Sequence, residues 1–124
     1  MSDELHGVVV CHGTLAEALV QAAEQISGLR GALTPITNTG CDRDTLEQRV
    51  LAAVDGRPTV VFVDLASGSC LFAVLKRLRS EKSVRVVTGA NLAMLVDFVF
   101  HRGLSPEEAA ARAAVAGQKS IGTP

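Results

Sequence analysis

One histidine and one aspartate, each placed directly behind a run of β-branched apolar residues, are the side chains of this sequence best placed to do chemistry. His12 follows Gly7-Val8-Val9-Val10-Cys11, and Gly13-Thr14 and a helix-like pattern come immediately after it. Asp64 follows Thr59-Val60-Val61-Phe62-Val63 and opens the small-residue loop Leu65-Ala66-Ser67-Gly68-Ser69. Carboxyl ends of strands are where open α/β sheets bind ligands and react. An imidazole is a nucleophile through one nitrogen when the proton on its other nitrogen is held. A carboxylate accepting that proton fixes the tautomer and steadies the developing positive charge. Gly13-Thr14 and Ser67-Gly68-Ser69 fall at amino ends of helices, whose free N–H groups and partial positive charge suit phosphate oxygens. The set fits formation of a phosphohistidine, with His12 as the nucleophile, Asp64 as the catalytic group steadying its ring, and Gly13, Thr14, Ser67, Gly68 and Ser69 binding phosphate.

The donor is narrowed by what is missing. The chain has neither a GxxxxGK[ST] loop nor a GxGxxG fingerprint, so the phosphoryl group is expected from another protein rather than from a nucleotide. It also lacks a GxSxG elbow, which argues against Ser67 or Ser69 as a hydrolase nucleophile. Blander roles stand beside these: Asp64, Ser67 and Ser69 as helix caps, and Asn91 as a cap rather than a participant. His6 and His101 read as exposed bystanders, and Met94 and the phenylalanines as core.

The elements that must position these residues alternate strand and helix. Strands are expected over residues 5–11, 32–37, 59–63 and 84–88. Helix one carries an apolar stripe of Leu15, Leu19, Ala22, Ala23 and Ile26. Thr14 with Glu17 reads as a capping box and Gly28 as its end. Helix two, capped by Asp42 or Asp44, shows Leu46, Val50, Leu51 and Val54. Helix three shows Leu71, Val74, Leu75 and Leu78, and helix four Leu92, Leu95, Val96, Val99 and Phe100. Ser105-Pro106-Glu107-Glu108 is a strong start for an alanine-rich fifth helix over residues 109–116. Pro35 cannot donate a ladder hydrogen bond, so the second strand belongs at an edge. The expected fold is α/β: an open, mainly parallel sheet of order 2-1-3-4 with helices on both faces. Strands one and three are then neighbours at the switch point, and His12 faces Asp64.

The 124 residues are expected to form a single domain spanning 1–124, since 48% are hydrophobic and 20% charged, as in ordinary globular chains. Phe is the only aromatic type, which argues against base-stacking platforms. A formal net charge of −1 and a pI near 6.3 point away from nucleic acid and anionic membranes. No leader-like segment opens the sequence and no apolar stretch approaches the length of a membrane span. A cytoplasmic location without membrane insertion is therefore expected. Cys11, Cys41 and Cys70 are an odd count without CxxC spacing, which suits a reducing compartment. Their spacing is too open for a zinc motif, so no metal and no cofactor is assigned, and small buried cysteines are the expectation.

Three segments in order carry a family likeness. Val8 to Gly13 with Leu15-Ala16-Glu17-Ala18-Leu19, then Val63-Asp64-Leu65-Ala66-Ser67-Gly68-Ser69, then Gly89-Ala90-Asn91-Leu92-Ala93-Met94-Leu95-Val96, together resemble the mannose-family IIA (EIIA) component of the bacterial sugar phosphotransferase system (PTS). The resemblance covers residues 5–117. It implies that His12 is phosphorylated on Nε2, with Asp64 as its hydrogen-bonding partner. Ser69 would match the phosphate-loop serine and Asn91 the asparagine opening helix four. It further implies that the phosphoryl group arrives from the carrier protein HPr and leaves to a IIB (EIIB) component. A homodimer is implied too, with a fifth antiparallel strand swapped between subunits, for which Lys119-Ser120-Ile121 is the candidate. This chain departs from the family in having Ser67 for a glycine, Cys70 for a proline and Ala66 for a tryptophan. The altered loop keeps a second reading open, a regulatory protein whose phosphorylation state controls a non-transport partner. A third candidate is the related phosphocarrier domain of dihydroxyacetone kinase systems, which shares the fold and a histidine, and the segment from Asn91 to Leu95 favours the mannose family over it.

Overall fold

The computed structural model describes residues 4–124. Four strands, β1 (His6–Cys11), β2 (Leu33–Thr37), β3 (Thr59–Val63) and β4 (Val84–Thr88), form one parallel sheet in the order β2-β1-β3-β4. Every residue of β1 and β3 is buried, as continuous Val-rich runs require when helices cover both faces. β2 is an edge strand and Pro35 is exposed on it.

The period-two alternation of β1 divides the interior. Val9 and Cys11 join one core with α1 (Leu15–Ser27), α4 (Leu92–Val99) and α5 (Pro106–Lys119). Val8 and Val10 join the other with α2 (Arg43–Val54) and α3 (Ser69–Leu78). Phe62 and Phe98 meet edge-to-face at 5.3 Å, a geometry worth about 0.5–1.5 kcal/mol beyond the area it buries. Gly7 and Gly117 are points of close approach. A Cβ on Gly7 would lie 2.5 Å from Leu33 Cδ2, and one on Gly117 would lie 2.5 Å from Met94 Cε. The small face of α5 (Ala109, Ala110, Ala113, Gly117) is thus what lets it lie against α4. Ser105 and Glu108 close the capping box with Pro106 at the first turn. Asp42 rather than Asp44 caps α2, accepting from the Thr45 amide at 2.8 Å.

Several local expectations are corrected. Thr14 precedes α1 but makes no side-chain cap bond, so its capping box does not form. The buried face of α1 is Ala16, Val20 and Ala23, while Leu15 and Ile26 are exposed. Close packing on the sheet and on α4 selects the face with small residues rather than the face with the largest ones. Phe72 and Phe100 lie outside the core, Phe72 beneath the Arg43 guanidinium at 4.6 Å and Phe100 just past the end of α4. His6 is no bystander: it is buried, and its Nε2 is 2.9 Å from Thr34 Oγ1. Burial, with Arg57 and Arg102 nearby, pushes its pKa down. His101 sits at the end of α4, with Nδ1 2.7 Å from the Asp97 carbonyl oxygen. Lys119 ends α5, and residues 120–124 form no strand within this chain. Among the described residues no helix is long and apolar enough to cross a membrane.

Candidate functional site

β1 and β3 are hydrogen-bonded neighbours with Val10 opposite Val63, so the residues that leave them, His12 and Asp64, emerge on one rim of the sheet. The His12 ring places Nδ1 2.9 Å from Asp64 Oδ2. The same oxygen accepts the His12 backbone N–H at 2.9 Å. The carboxylate offers only acceptors, so the Nδ1 position carries the proton and Nε2 keeps its lone pair. Burial tends to raise the Asp64 carboxyl. The hydrogen bonds from the His12 amide and ring outweigh it and hold the group below its ordinary range.

Nε2 points away from this anchor. The ring is 41% exposed against 8% for the Asp64 side chain, so the nucleophilic edge is reachable while the anchor stays dry. Gly68 caps α3 with φ 95° and ψ −175°, a conformation open in practice only to glycine. A Cβ there would lie 3.8 Å from both Cε1 and Nε2 of His12. The amino end of α3, with its free N–H groups, therefore borders the reactive edge. Ser67 and Ser69 are exposed on either side of Gly68. Neither serine, nor Asp64, caps the helix.

Gly13 behaves differently from its neighbours on the loop. Its N–H is already given to Asn38 Oδ1 at 3.2 Å, and its carbonyl accepts from Thr37 Oγ1 at 2.6 Å. Thr37 and Asn38 thus hold the turn that presents His12, a role the sequence reading did not assign. The available signal was their position, since they end β2 on the same rim. Asn91 caps α4, accepting from the Met94 amide at 3.1 Å and donating to the Gly117 carbonyl at 3.2 Å. It lines a concavity of ≈ 530 Å³ beside β4, which contains neither His12 nor Asp64.

Cys70 lies in the first turn of α3, fully buried, with Sγ 3.7 Å from His12 Nδ1. Burial first, and the charge of Asp64 second, push its thiol up to about 11. The same two causes push Cys11 up to about 12. Both stay protonated at neutral pH, so neither is a nucleophile competing with His12.

The architecture is that of phosphotransferase-system IIA proteins. A mannose/sorbose specific IIA subunit of the phosphotransferase system from Enterococcus faecalis matches with TM-score 0.86 at 23% identity, over 98% of this chain and 95% of its own. Phosphotransferase system component EIIA from Streptococcus agalactiae matches with TM-score 0.88 at 18% identity, over 96% of each chain. The PTS IIA protein associated with the fucose utilization operon from Streptococcus pneumoniae gives 0.78 at 23%, over 97% and 93%. At such identities the likeness is one of fold. Sequence supplies the family: the model of EIIA-man, described as the PTS system fructose IIA component, matches residues 7–116, and this chain belongs to that family. No curated protein matches it significantly.

Proposed function

We propose that this chain is a phosphocarrier that accepts a phosphoryl group from phospho-HPr on His12 and passes it to a IIB component. One observation carries the reading: Nδ1 is pinned on Asp64 while Nε2 faces outward beside the amino end of α3. The Nε2 lone pair attacks phosphorus, and the bond from phosphorus to the donor nitrogen breaks with its electron pair leaving on that nitrogen. The Nδ1 proton remains on His12 and is shared with Asp64 throughout. Little acid–base work is needed, because positioning and charge stabilisation supply the rate. Ser67, Gly68 and Ser69, with Gly13 and Thr14 nearer α1, line the approach to the phosphoryl oxygens. An open rim rather than an enclosed cleft suits a protein donor.

The same reading takes the chain as a cytoplasmic homodimer, in line with the family resemblance and with a β4 edge that has no strand beside it among the described residues. Ala66 and Ser67, both exposed, change the surface a IIB partner would touch, and this favours a second reading in which a non-transport partner senses the phosphorylation state.

Incubation with phosphoenolpyruvate, enzyme I and HPr tests the proposal. Acid-labile phosphate is expected on the wild type and not on His12→Ala. Equal labelling of the two would remove His12 from its role.

A further inference from the structure

The site holds a third donor that the phosphocarrier chemistry leaves unused. Cys70 Sγ, His12 Nδ1 and a carboxylate oxygen of Asp64 all lie within 4.8 Å of one another. Nδ1 is 2.9 Å from Asp64 Oδ2 and 3.7 Å from Cys70 Sγ. A tetrahedral zinc site with ordinary bond lengths needs N···O and N···S edges of about 3.3–3.6 Å, within a few tenths of what is present. Asp64 Oδ1 is buried and has no hydrogen-bond partner, so the carboxylate keeps an acceptor free. Cys70 is buried and the Asp64 side chain is 8% exposed, so a cation enters past the partly exposed His12 ring.

We propose that His12, Asp64 and Cys70 form a binding site for a divalent cation of the zinc class, and that the metal and a phosphoryl group exclude each other at His12. Imidazole nitrogen, carboxylate oxygen and thiolate sulfur together suit zinc and its d-block neighbours rather than magnesium or calcium. Binding displaces the Cys70 thiol proton and the Nδ1 proton. A neutral imidazole carries one N–H, so a metal on Nδ1 moves the ring proton to Nε2 and removes the lone pair that attacks phosphorus. A phosphoryl group on Nε2 keeps the proton on Nδ1, where a metal would have to bind. The cation site stands on the geometry of the three donors, and the mutual exclusion rests on the phosphocarrier reading.

Cobalt(II) is the probe, because its thiolate-to-metal charge-transfer absorption reports a Cys ligand directly and needs no phosphoryl donor. One equivalent is expected to give that band in the wild type and in Cys41→Ser, and zinc is expected to displace it. The band should vanish in Cys70→Ser, and also in His12→Ala, whose partly exposed ring can be removed without opening the core. Absence of the band from folded wild type, or its survival in both variants, overturns the site and leaves the phosphocarrier reading untouched. Zinc at ten times its dissociation constant should lower the wild-type labelling rate by about tenfold. The ratio of rates with and without zinc should be near one in Cys70→Ser. Wild-type labelling unaffected by bound zinc overturns the exclusion alone.

Discussion

A single oxygen of Asp64, Oδ2, holds His12 twice, by its backbone amide and by its ring, each at 2.9 Å. Two bonds to one acceptor fix the imidazole relative to the chain that carries it, so ring orientation and loop position cannot drift separately. Nε2 is then aimed by the sheet, because Asp64 leaves β3 and His12 leaves β1.

Replacing Asp64 with Asn keeps the shape and exchanges an ionised acceptor for an amide that no longer dictates which ring nitrogen is protonated. The phosphoryl-acceptance rate is expected to fall by about 10² or more, as for other carboxylate partners of functional histidines. Rapid-quench labelling with phospho-HPr measures it, and an unchanged rate would show that the tautomer is set elsewhere.

Stability should carry an acid signature of the same contact. The Asp64 carboxyl titrates lower in the folded chain than in the unfolded chain, so the unfolded state takes up its proton first. Its contribution is fully present above the unfolded value of about 3.9 and is lost as pH falls through the lower folded value. Melting temperatures recorded from neutral pH downward should therefore drop less steeply below about pH 4 in Asp64→Asn than in wild type. Parallel curves would contradict this.

Gly68→Ala tests the loop that borders the His12 ring while leaving His12 and Asp64 unsubstituted. Its φ of 95° and ψ of −175° would cost a β-carbon about 1–3 kcal/mol. Relief of that strain shifts the loop, and the added methyl lies 3.8 Å from His12 Nε2. Labelling should slow by about tenfold or more while the far-ultraviolet circular dichroism stays that of wild type. Wild-type kinetics would mean that the amino end of α3 does not participate.

Gly7→Ala probes the core instead. The added methyl meets Leu33 Cδ2 at 2.5 Å and Phe98 Cε2 at 2.7 Å, within the central strand β1. Overpacking of this kind costs about 1–3 kcal/mol, readable as a lower urea midpoint. Gly7 lies at the amino end of β1, so labelling of the folded variant should change little.

Much of the arrangement was legible because it depends on local chemistry. Alternating apolar runs and amphipathic stretches give α/β layering, and Pro35 forces β2 to an edge. The order β2-β1-β3-β4 follows, and with it the meeting of His12 and Asp64. What could not be read depends on how elements rotate and approach. The stripe on α1 turned because close contact with the sheet and α4 favours Ala16 and Ala23 over Leu15 and Ile26. His6 became buried because β2 brought Thr34 within hydrogen-bond reach.

Strand ends, and with them the pair of residues that face each other, follow from the order of amino acids alone, since strand order and side-chain period are set by hydrophobicity and backbone chemistry. What surrounds that pair follows from packing. Cys70 reaches His12 across 58 positions of chain, and Thr37 and Asn38 clasp Gly13 across 24 and 25. Such contacts depend on the docking of α3 and β2, and no local pattern encodes a distance between segments that only packing brings together.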